Sequence, residues 1–387
     1  MRIAFDATAL LGPRTGIGVF TAEVLDRLRG YDDLDVVAYG LTWKGRHELA
    51  DQVPDGIRVT RRPMAARPLR AVWRRADEPP IEWWTGWVDV VHGSNFVVPP
   101  SRRASELVTV HDLTCLHFPE LCTVDTLAYP GLIRRAVDRG ATIHVVSNFV
   151  GAEVREAFGL GADRVITVPN GVTPLPPGDP SGDGPADAAA GRSVIGAGAD
   201  AGADRYVLGL GTVEPRKGFP LLVRAFDELA AADPDLRLVI AGPDGWGAEA
   251  LSAAVQASPH RRRIVRLGWV DDVRRAALLR GASAFAFPSL YEGFGLPPLE
   301  AMSAGAPVVS SDAGALPEVL GDGARMVPTG DADALATALA AVLDDTDLAD
   351  DLRRRGAARA ATFGWDATAA GLVEIYRRLT PGRSTRT

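Results

Sequence analysis

The chain has 387 residues, of which 47% are hydrophobic and 24% charged, with a net charge of −7 and only two cysteines, Cys115 and Cys122. That length suits two domains, each able to bury its own core, and no apolar run is long enough to span a bilayer. The acidic balance argues against a nucleic-acid partner held by broad phosphate neutralisation, and two cysteines alone build neither a disulfide framework nor a zinc site. A soluble, cytoplasmic protein is therefore expected. Met1 to Phe5 runs directly into Asp6 without the cleavage site of a signal peptide, so it reads as a first strand.

Short β-branched runs alternate with amphipathic stretches, the pattern of parallel strands joined by crossover helices. In the first half strands are predicted at Arg2–Asp6, Val36–Gly40, Val88–His92, Leu107–His111, Ile143–Ser147 and Val165–Val168. After the first of them, Gly12-Pro13-Arg14-Thr15-Gly16-Ile17-Gly18 opens a helix through Phe20, Val24 and Leu28. Glycines there let backbone amides approach a phosphate. The spacing is not G-x-G-x-x-G and no clear acid follows the second strand, which disfavours a nicotinamide-dependent dehydrogenase.

From Arg58 to Arg75 the chain carries Arg58, Arg61, Arg62, Arg67, Arg70, Arg74 and Arg75 without an acid, followed by Trp83, Trp84 and Trp87. A solvated basic face is one reading; an anionic membrane surface or lipid-linked acceptor is the other. His111-Asp112 ends a predicted strand, at the edge where open α/β sheets bind ligands, and His92 ends the strand before it. Between residues 173 and 204 Pro, Gly, Ala and Asp dominate and no apolar periodicity survives, so this stretch reads as a mobile connection between domains at 1–172 and 205–363. Residues 364–387 hold a closing amphipathic helix, with Ala369, Leu372, Val373, Tyr376 and Leu379 at helical spacing, and a tail.

In the second half strands are predicted at Tyr206–Gly211, Leu236–Ala241, Ile264–Leu267, Ala284–Phe287 and Val308–Ser310. The first runs into Gly211-Thr212-Val213-Glu214-Pro215-Arg216-Lys217-Gly218 and then a helix bearing Leu221, Leu222, Ala225, Phe226 and Leu229. Cations at a helix start oppose its dipole unless an anion is bound, and Arg216 and Lys217 suit a leaving diphosphate. Gly242-Pro243-Asp244 and Gly268-Trp269-Val270 end two further strands, where backbone groups could meet a nucleoside base. The D-x-D pairs Asp33/Asp35, Asp233/Asp235, Asp331/Asp333 and Asp345/Asp347 fall in turns or at helix starts, where Asp is a favoured cap, so no metal site is expected.

The strongest signal runs from Pro288 to Met302, PSLYEGFGLPPLEAM. A strand ends in a Gly-containing loop, and a helix opens with Pro297 in its first turn, turning free amides and a positive dipole end toward an anion. Glu292 and Glu300 flank that loop, and carboxylates there accept hydrogen bonds from sugar hydroxyls.

This constellation resembles the retaining GT-B glycosyltransferases, in particular the group called family 4, whose paired glutamates separated by seven residues match Glu292 and Glu300. The continuation from Ala301 to Val309 extends the likeness. The resemblance implies an α/β fold of two Rossmann-like domains facing a cleft, with Glu292 on the donor sugar, Glu300 on the ribose, and the backbone of Gly293, Phe294, Gly295 and Leu296 on phosphate and sugar. Lys217 and Arg216 would hold the diphosphate, although many members place an Arg where this chain has Thr212. Gly16 and Gly18 would cover the diphosphate and shape the acceptor side, and His111 would lie close to the reacting centre. The implied partners are a nucleotide-sugar donor and a saccharide or lipid-linked acceptor, with no cofactor and no metal. The form of the cationic loop looks most like that of mannosyltransferases of surface-polysaccharide assembly, making GDP-mannose the first choice of donor and a UDP-sugar the second. A nucleotide-sugar epimerase, a phosphorylase and a non-catalytic nucleotide-binding scaffold are the rival readings.

Overall fold

Seven strands, β1 (Arg2–Asp6), β2 (Asp35–Tyr39), β3 (Arg58–Val59), β4 (Val90–Gly93), β5 (Ser105–Val110), β6 (Thr142–Val145) and β7 (Val165–Thr167), form one sheet in the order β3-β2-β1-β4-β5-β6-β7. Six more, β8 (Tyr206–Leu210), β9 (Arg237–Ala241), β10 (Ile264–Gly268), β11 (Ala284–Phe287), β12 (Val308–Ser311) and β13 (Ala324–Val327), form a second in the order β10-β9-β8-β11-β12-β13. Every pairing in both is parallel. Each sheet is a doubly wound Rossmann-like sheet, as the alternation of β-branched runs and amphipathic stretches predicts. The computed structural model describes residues 1–12, 15–173, 175 and 205–380. Pro13 and Arg14 of the glycine turn, and all of the predicted 173–204 connection except Thr173 and Leu175, lie outside the described residues.

Two units emerge, one made of Met1–Gly171 together with the chain from Gly364 onward, the other of Val172–Phe363. The closing helix, Trp365–Leu379, thus belongs to the first unit. Its apolar stripe accounts for this: Trp365, Leu372 and Tyr376 are buried, and Phe20 of helix Gly16–Leu28 packs 6.3 Å from Trp365 between ring centroids. In the second unit helix Phe219–Ala232 buries Leu222, Phe226 and Leu229, each contributing about 1.5–3 kcal/mol.

Each predicted strand is found to within two residues at either end, and β3 and β13 are the ones the pattern missed. β3 pairs only two residues and opens the arginine-rich stretch, while β13 reads Ala-Arg-Met-Val and lacks a β-branched run. Strand order reverses between β1 and β4 and again between β8 and β11. At such switch points loops splay apart outside the carboxyl ends of the strands and leave room for a ligand.

Candidate functional site

At the switch point of the second sheet, the turn after β8 meets the loop after β11. Gly218 makes this possible: its φ is 66°, and a Cβ there would lie 2.1 Å from the Pro288 carbonyl oxygen. The Leu290 amide donates to the Arg216 carbonyl at 2.7 Å, locking the two segments together.

Lys217, in the 3₁₀ turn Pro215–Lys217, and Glu292 are both buried, and the ammonium donates to Glu292 Oε1 at 2.6 Å. Arg216 Nη1 reaches the same oxygen at 2.8 Å, and Ser289 Oγ donates to it at 2.7 Å. All three donors crowd onto Oε1, which leaves Oε2 to accept from a ligand hydroxyl. Burial alone would push the Glu292 carboxyl up, but Arg216, Lys217 and Ser289 outweigh it and hold the pKa down at about 2. Burial pushes the Lys217 ammonium down against the pull of Glu292. Glu214 takes up the other side of the Arg216 guanidinium, at 3.0 Å from Nε.

Helix Leu296–Ser303 follows, entered through Gly295 at φ 101°, where a Cβ would lie 2.6 Å from Leu316. Pro297 and Pro298 sit at its second and third positions and bring no N–H, so the donors that face an anion narrow to the amides of Gly295 and Leu296. Phe294 is buried with its ring edge-on to Phe363, 5.6 Å away, and fixes the loop from beneath. Glu300, also buried, is met by Arg275 of helix Asp272–Gly281 at 3.0 Å from both carboxylate oxygens. Burial raises its pKa, and Arg275 works in the opposite direction.

Along the same edge the segments after β9 and β10 lean on this turn. The Val213 amide donates to the Pro243 carbonyl at 3.0 Å and the Gly242 amide to the Gly268 carbonyl at 2.7 Å. Asp244 is held by Arg266 at 2.7 Å, and Trp269 stands 62% exposed. Thus the second unit brings together Arg216, Lys217, Glu292, Gly293, Phe294, Gly295, Leu296 and Glu300. Ser289, Glu214 and Arg275 join them. Ser289 lies within the quoted motif and Glu214 within the cationic turn, whereas Arg275 carries no local signal.

Gly16, Gly18 and His111 belong to the first unit. Gly16 is the first residue of its helix, and Thr15 before it makes no side-chain cap, so the leading amides are open to an anion. His111 follows β5 and is buried, with rings of Phe20 at 5.2 Å and Phe96 at 5.9 Å. Its Nε2 lies 2.8 Å from the Ser94 carbonyl, which only accepts, so the proton sits on Nε2. Burial pushes its pKa down.

His92 has a different place. It is fully buried, its Nδ1 2.6 Å from the Tyr376 hydroxyl and its Nε2 2.7 Å from Thr109 Oγ1. Thr109 Oγ1 lies 2.9 Å from His144 Nδ1, and His144 Nε2 lies 3.0 Å from the Val168 carbonyl. Because that carbonyl can only accept, every donor in the chain points one way, from Tyr376 through both neutral imidazoles. His92 is a satisfied core histidine.

Asp331 and Asp345 cap the helices that follow them, accepting from the amides of Ala334 and Leu348. Among the described residues no group of three or more His, Cys, Asp or Glu side chains is placed to hold a metal ion, and no helix is long and apolar enough to cross a membrane. In the basic segment Arg58 pairs with Asp35, Arg67 with Asp125 at 3.0 Å, and Arg62 donates to the Trp83 carbonyl at 2.5 Å, while Trp83 and Trp87 stay exposed.

The family described as Glycosyl transferases group 1 matches residues 197–359, and Glycosyltransferase Family 4 matches residues 14–174. The chain is 29% identical over 392 residues to O-antigen chain mannosyltransferase B of Escherichia coli, covering 98% of this chain and 100% of that protein. It is 38% identical over 176 residues to a phosphatidyl-myo-inositol mannosyltransferase of Mycolicibacterium smegmatis, covering 44% of this chain and 45% of that one. The chain therefore spans less than half of the second relative. A solved structure of the Anabaena protein HepE in complex with UDP and glucose shares the fold, with a TM-score of 0.73 at 18% identity, covering 98% of this chain and 100% of that chain. Two parallel Rossmann-like sheets with a charged switch-point site define a transferase of the GT-B architecture. The chain belongs to the glycosyltransferases, with a family 4 segment in its first half and a group 1 segment in its second.

Proposed function

We propose that this glycosyltransferase is a retaining hexosyltransferase that takes mannose from GDP-mannose, or as second choice a sugar from a UDP donor, and passes it to a hydroxyl of a saccharide or lipid-linked acceptor. Assembly of a surface polysaccharide or glycolipid, on the cytoplasmic side and in peripheral contact with the inner membrane, is the setting this reading gives it. The observation that carries the site is the convergence of Lys217, Arg216 and Ser289 on one oxygen of Glu292, in the loop that leads into the helix entered at Gly295 and Leu296. The mannosyl choice is supported by the names of the relatives; the basic Arg58–Arg75 segment with exposed Trp83 and Trp87 supports the membrane contact.

In this mechanism Glu292 accepts from donor-sugar hydroxyls and Glu300 from the ribose, while Arg216, Lys217 and the helix amides meet the diphosphate. The bond from the anomeric carbon to the diphosphate oxygen breaks, and these cations stabilise the charge that builds on the leaving group. The acceptor hydroxyl enters on the face just vacated. Its oxygen bonds to the anomeric carbon and its proton passes to the departing diphosphate oxygen, so configuration is kept without an enzyme nucleophile. No metal is called on, because the positive charge comes from side chains and amides. His111 and the amides of Gly16 and Gly18 remain in the proposal as groups that meet substrate.

The test is a screen of nucleotide sugars by donor hydrolysis, followed by transfer assays with the best donor. Glu292→Ala should abolish transfer and EDTA should leave the wild-type rate unchanged. Wild-type turnover in Glu292→Ala removes the site assignment, and loss of rate in EDTA that added Mg²⁺ restores removes the metal-independent mechanism. A product formed from donor alone by inversion at one sugar carbon would turn the reading toward an epimerase.

A further inference from the structure

Glu300 is a buried carboxylate whose one cationic partner among the described residues comes from a separate helix. Arg275 projects from the first turn of Asp272–Gly281, and its Nη1 lies 3.0 Å from both Glu300 oxygens. Its Nη2 is 3.3 Å from Asp272 Oδ1, one turn back on the same helix, while its Nε is buried without a partner among the described residues. The guanidinium is therefore braced on one side by an exposed acid and committed on the other to Glu300. A carboxylate offers about four acceptor positions, two per oxygen. Arg275 occupies one on each, and the symmetry of the two distances means one on each is left over. Two equivalent acceptors, one per oxygen, are the complement of two adjacent hydroxyls.

We propose that Arg275 is the positioning residue of the nucleoside subsite, holding Glu300 so that its two remaining acceptor positions receive the vicinal 2′ and 3′ hydroxyls of a ribose. This rests on the donor-site reading above, in which Glu300 meets the ribose. Arg275 touches neither the sugar nor the reacting bond; it acts through Glu300. Its positive charge also opposes the burial that would otherwise favour a protonated Glu300. A protonated carboxyl would lose one acceptor and present a donor to a diol that needs two acceptors.

The probe is the tighter binder of GDP and UDP, titrated calorimetrically into the full chain beside its 2′,3′-dideoxy counterpart. Wild type should prefer the ribose form by roughly tenfold to a hundredfold, the range for hydrogen bonds to a charged group. Arg275→Met should lose most of that preference, by weakening the ribose form while leaving the dideoxy form within a few-fold of wild type. Arg275→Lys should regain part of it. The pH at which ribose-form affinity falls should move upward in Arg275→Met. A merely structural Arg275 would weaken both nucleotides alike and leave the pH midpoint in place, and that outcome overturns the proposal. Glu300→Gln separates the two layers. If it retains the full ribose preference, or if neither nucleotide binds wild type, the donor-site reading itself fails. If it loses the preference while Arg275→Met keeps it, only the positioning role fails. Melting curves of each variant exclude misfolding, and Arg275→Lys carries the test if Arg275→Met does not fold.

Discussion

The two sheets share one order over six strands, the first adding β7 at its edge, yet the groups at and behind their switch points differ in electrostatic character. In the second unit Arg216, Lys217, Glu214, Glu292, Arg275 and Glu300 pair as charges in and around a buried site. In the first unit the buried titratable groups include His92, His111 and His144, each pushed by burial toward the neutral form and met by carbonyls, a threonine or a tyrosine. One edge thus gathers paired charges, while the histidines behind the other are held neutral in a hydrogen-bonded relay.

Short of the loss of Glu292 itself, the largest effect should come from removing one cation at the charged edge. Lys217→Met is expected to lower turnover about 10²–10³-fold, the range for deleting one preorganised group that stabilises developing charge. Arg216 still reaches Glu292 Oε1, so the carboxylate keeps a partner and the variant should fold. The matching change at the neutral edge is Thr109→Val, which strands two imidazole nitrogens and should cost about 1–3 kcal/mol of stability per orphaned group while leaving turnover within a few-fold. Turnover retained in Lys217→Met, measured with saturating donor, would break the contrast.

Acid should separate the two units by a second, smaller effect. His144 is held down at about 4 against an ordinary 6.5, so between those values the unfolded chain binds the proton and the folded chain does not. The first unit therefore has its full histidine stability above pH 6.5 and loses it as pH falls toward 4. In the second unit Glu292, held at about 2, contributes stability that is complete above its ordinary 4.5 and is lost only as pH falls toward 2. Asp6 and Glu106 of the first unit are raised by burial and act in the opposite sense, so the comparison is made between wild type and His144→Gln. Peptide-resolved hydrogen exchange from pH 7 to 4 should show protection in β4, β5 and β6 falling before that in β8 and β11, with a shallower fall in the variant. Equal slopes in wild type and variant would remove the histidines as the cause.

What the amino-acid sequence discloses also differs between the edges. Lys217, Glu292 and Glu300 stand in two short segments whose spacing carries their chemistry, and the strands that lead into them, Tyr206–Leu210 and Ala284–Phe287, are short apolar runs. Nothing local marks Arg275 as Glu300's partner, because a helix crossing brings together residues separated by a whole strand and loop. The histidine relay is hidden for the same reason. His92, Thr109, His144 and Tyr376 sit on β4, β5, β6 and the last helix, and each alone looks like a polar residue at a strand end or an aromatic on an apolar stripe. The return of Trp365–Leu379 to the first unit is likewise a fact of packing: periodicity marks it as a helix with one apolar face but does not say which core that face meets.

The smallest expected effect concerns Thr212, where the resembling family often has an arginine. Thr212 follows Gly211 at the end of β8, and its carbonyl accepts from the Glu214 amide at 2.7 Å, an arrangement that does not depend on its side chain. Arg216 already brings a guanidinium to Glu292 from four residues further on. If that guanidinium supplies the missing charge, Thr212→Arg in wild type should change kcat/KM by less than about threefold, because a second cation adds little to a site already neutralised. The same substitution should recover part of the activity lost in Arg216→Ala. The two backgrounds discriminate sharply: no recovery in Arg216→Ala would show that an arginine at 212 does not replace the one at 216, and an Arg216→Ala variant with wild-type kcat/KM would show that the cation at 216 has no share in transfer.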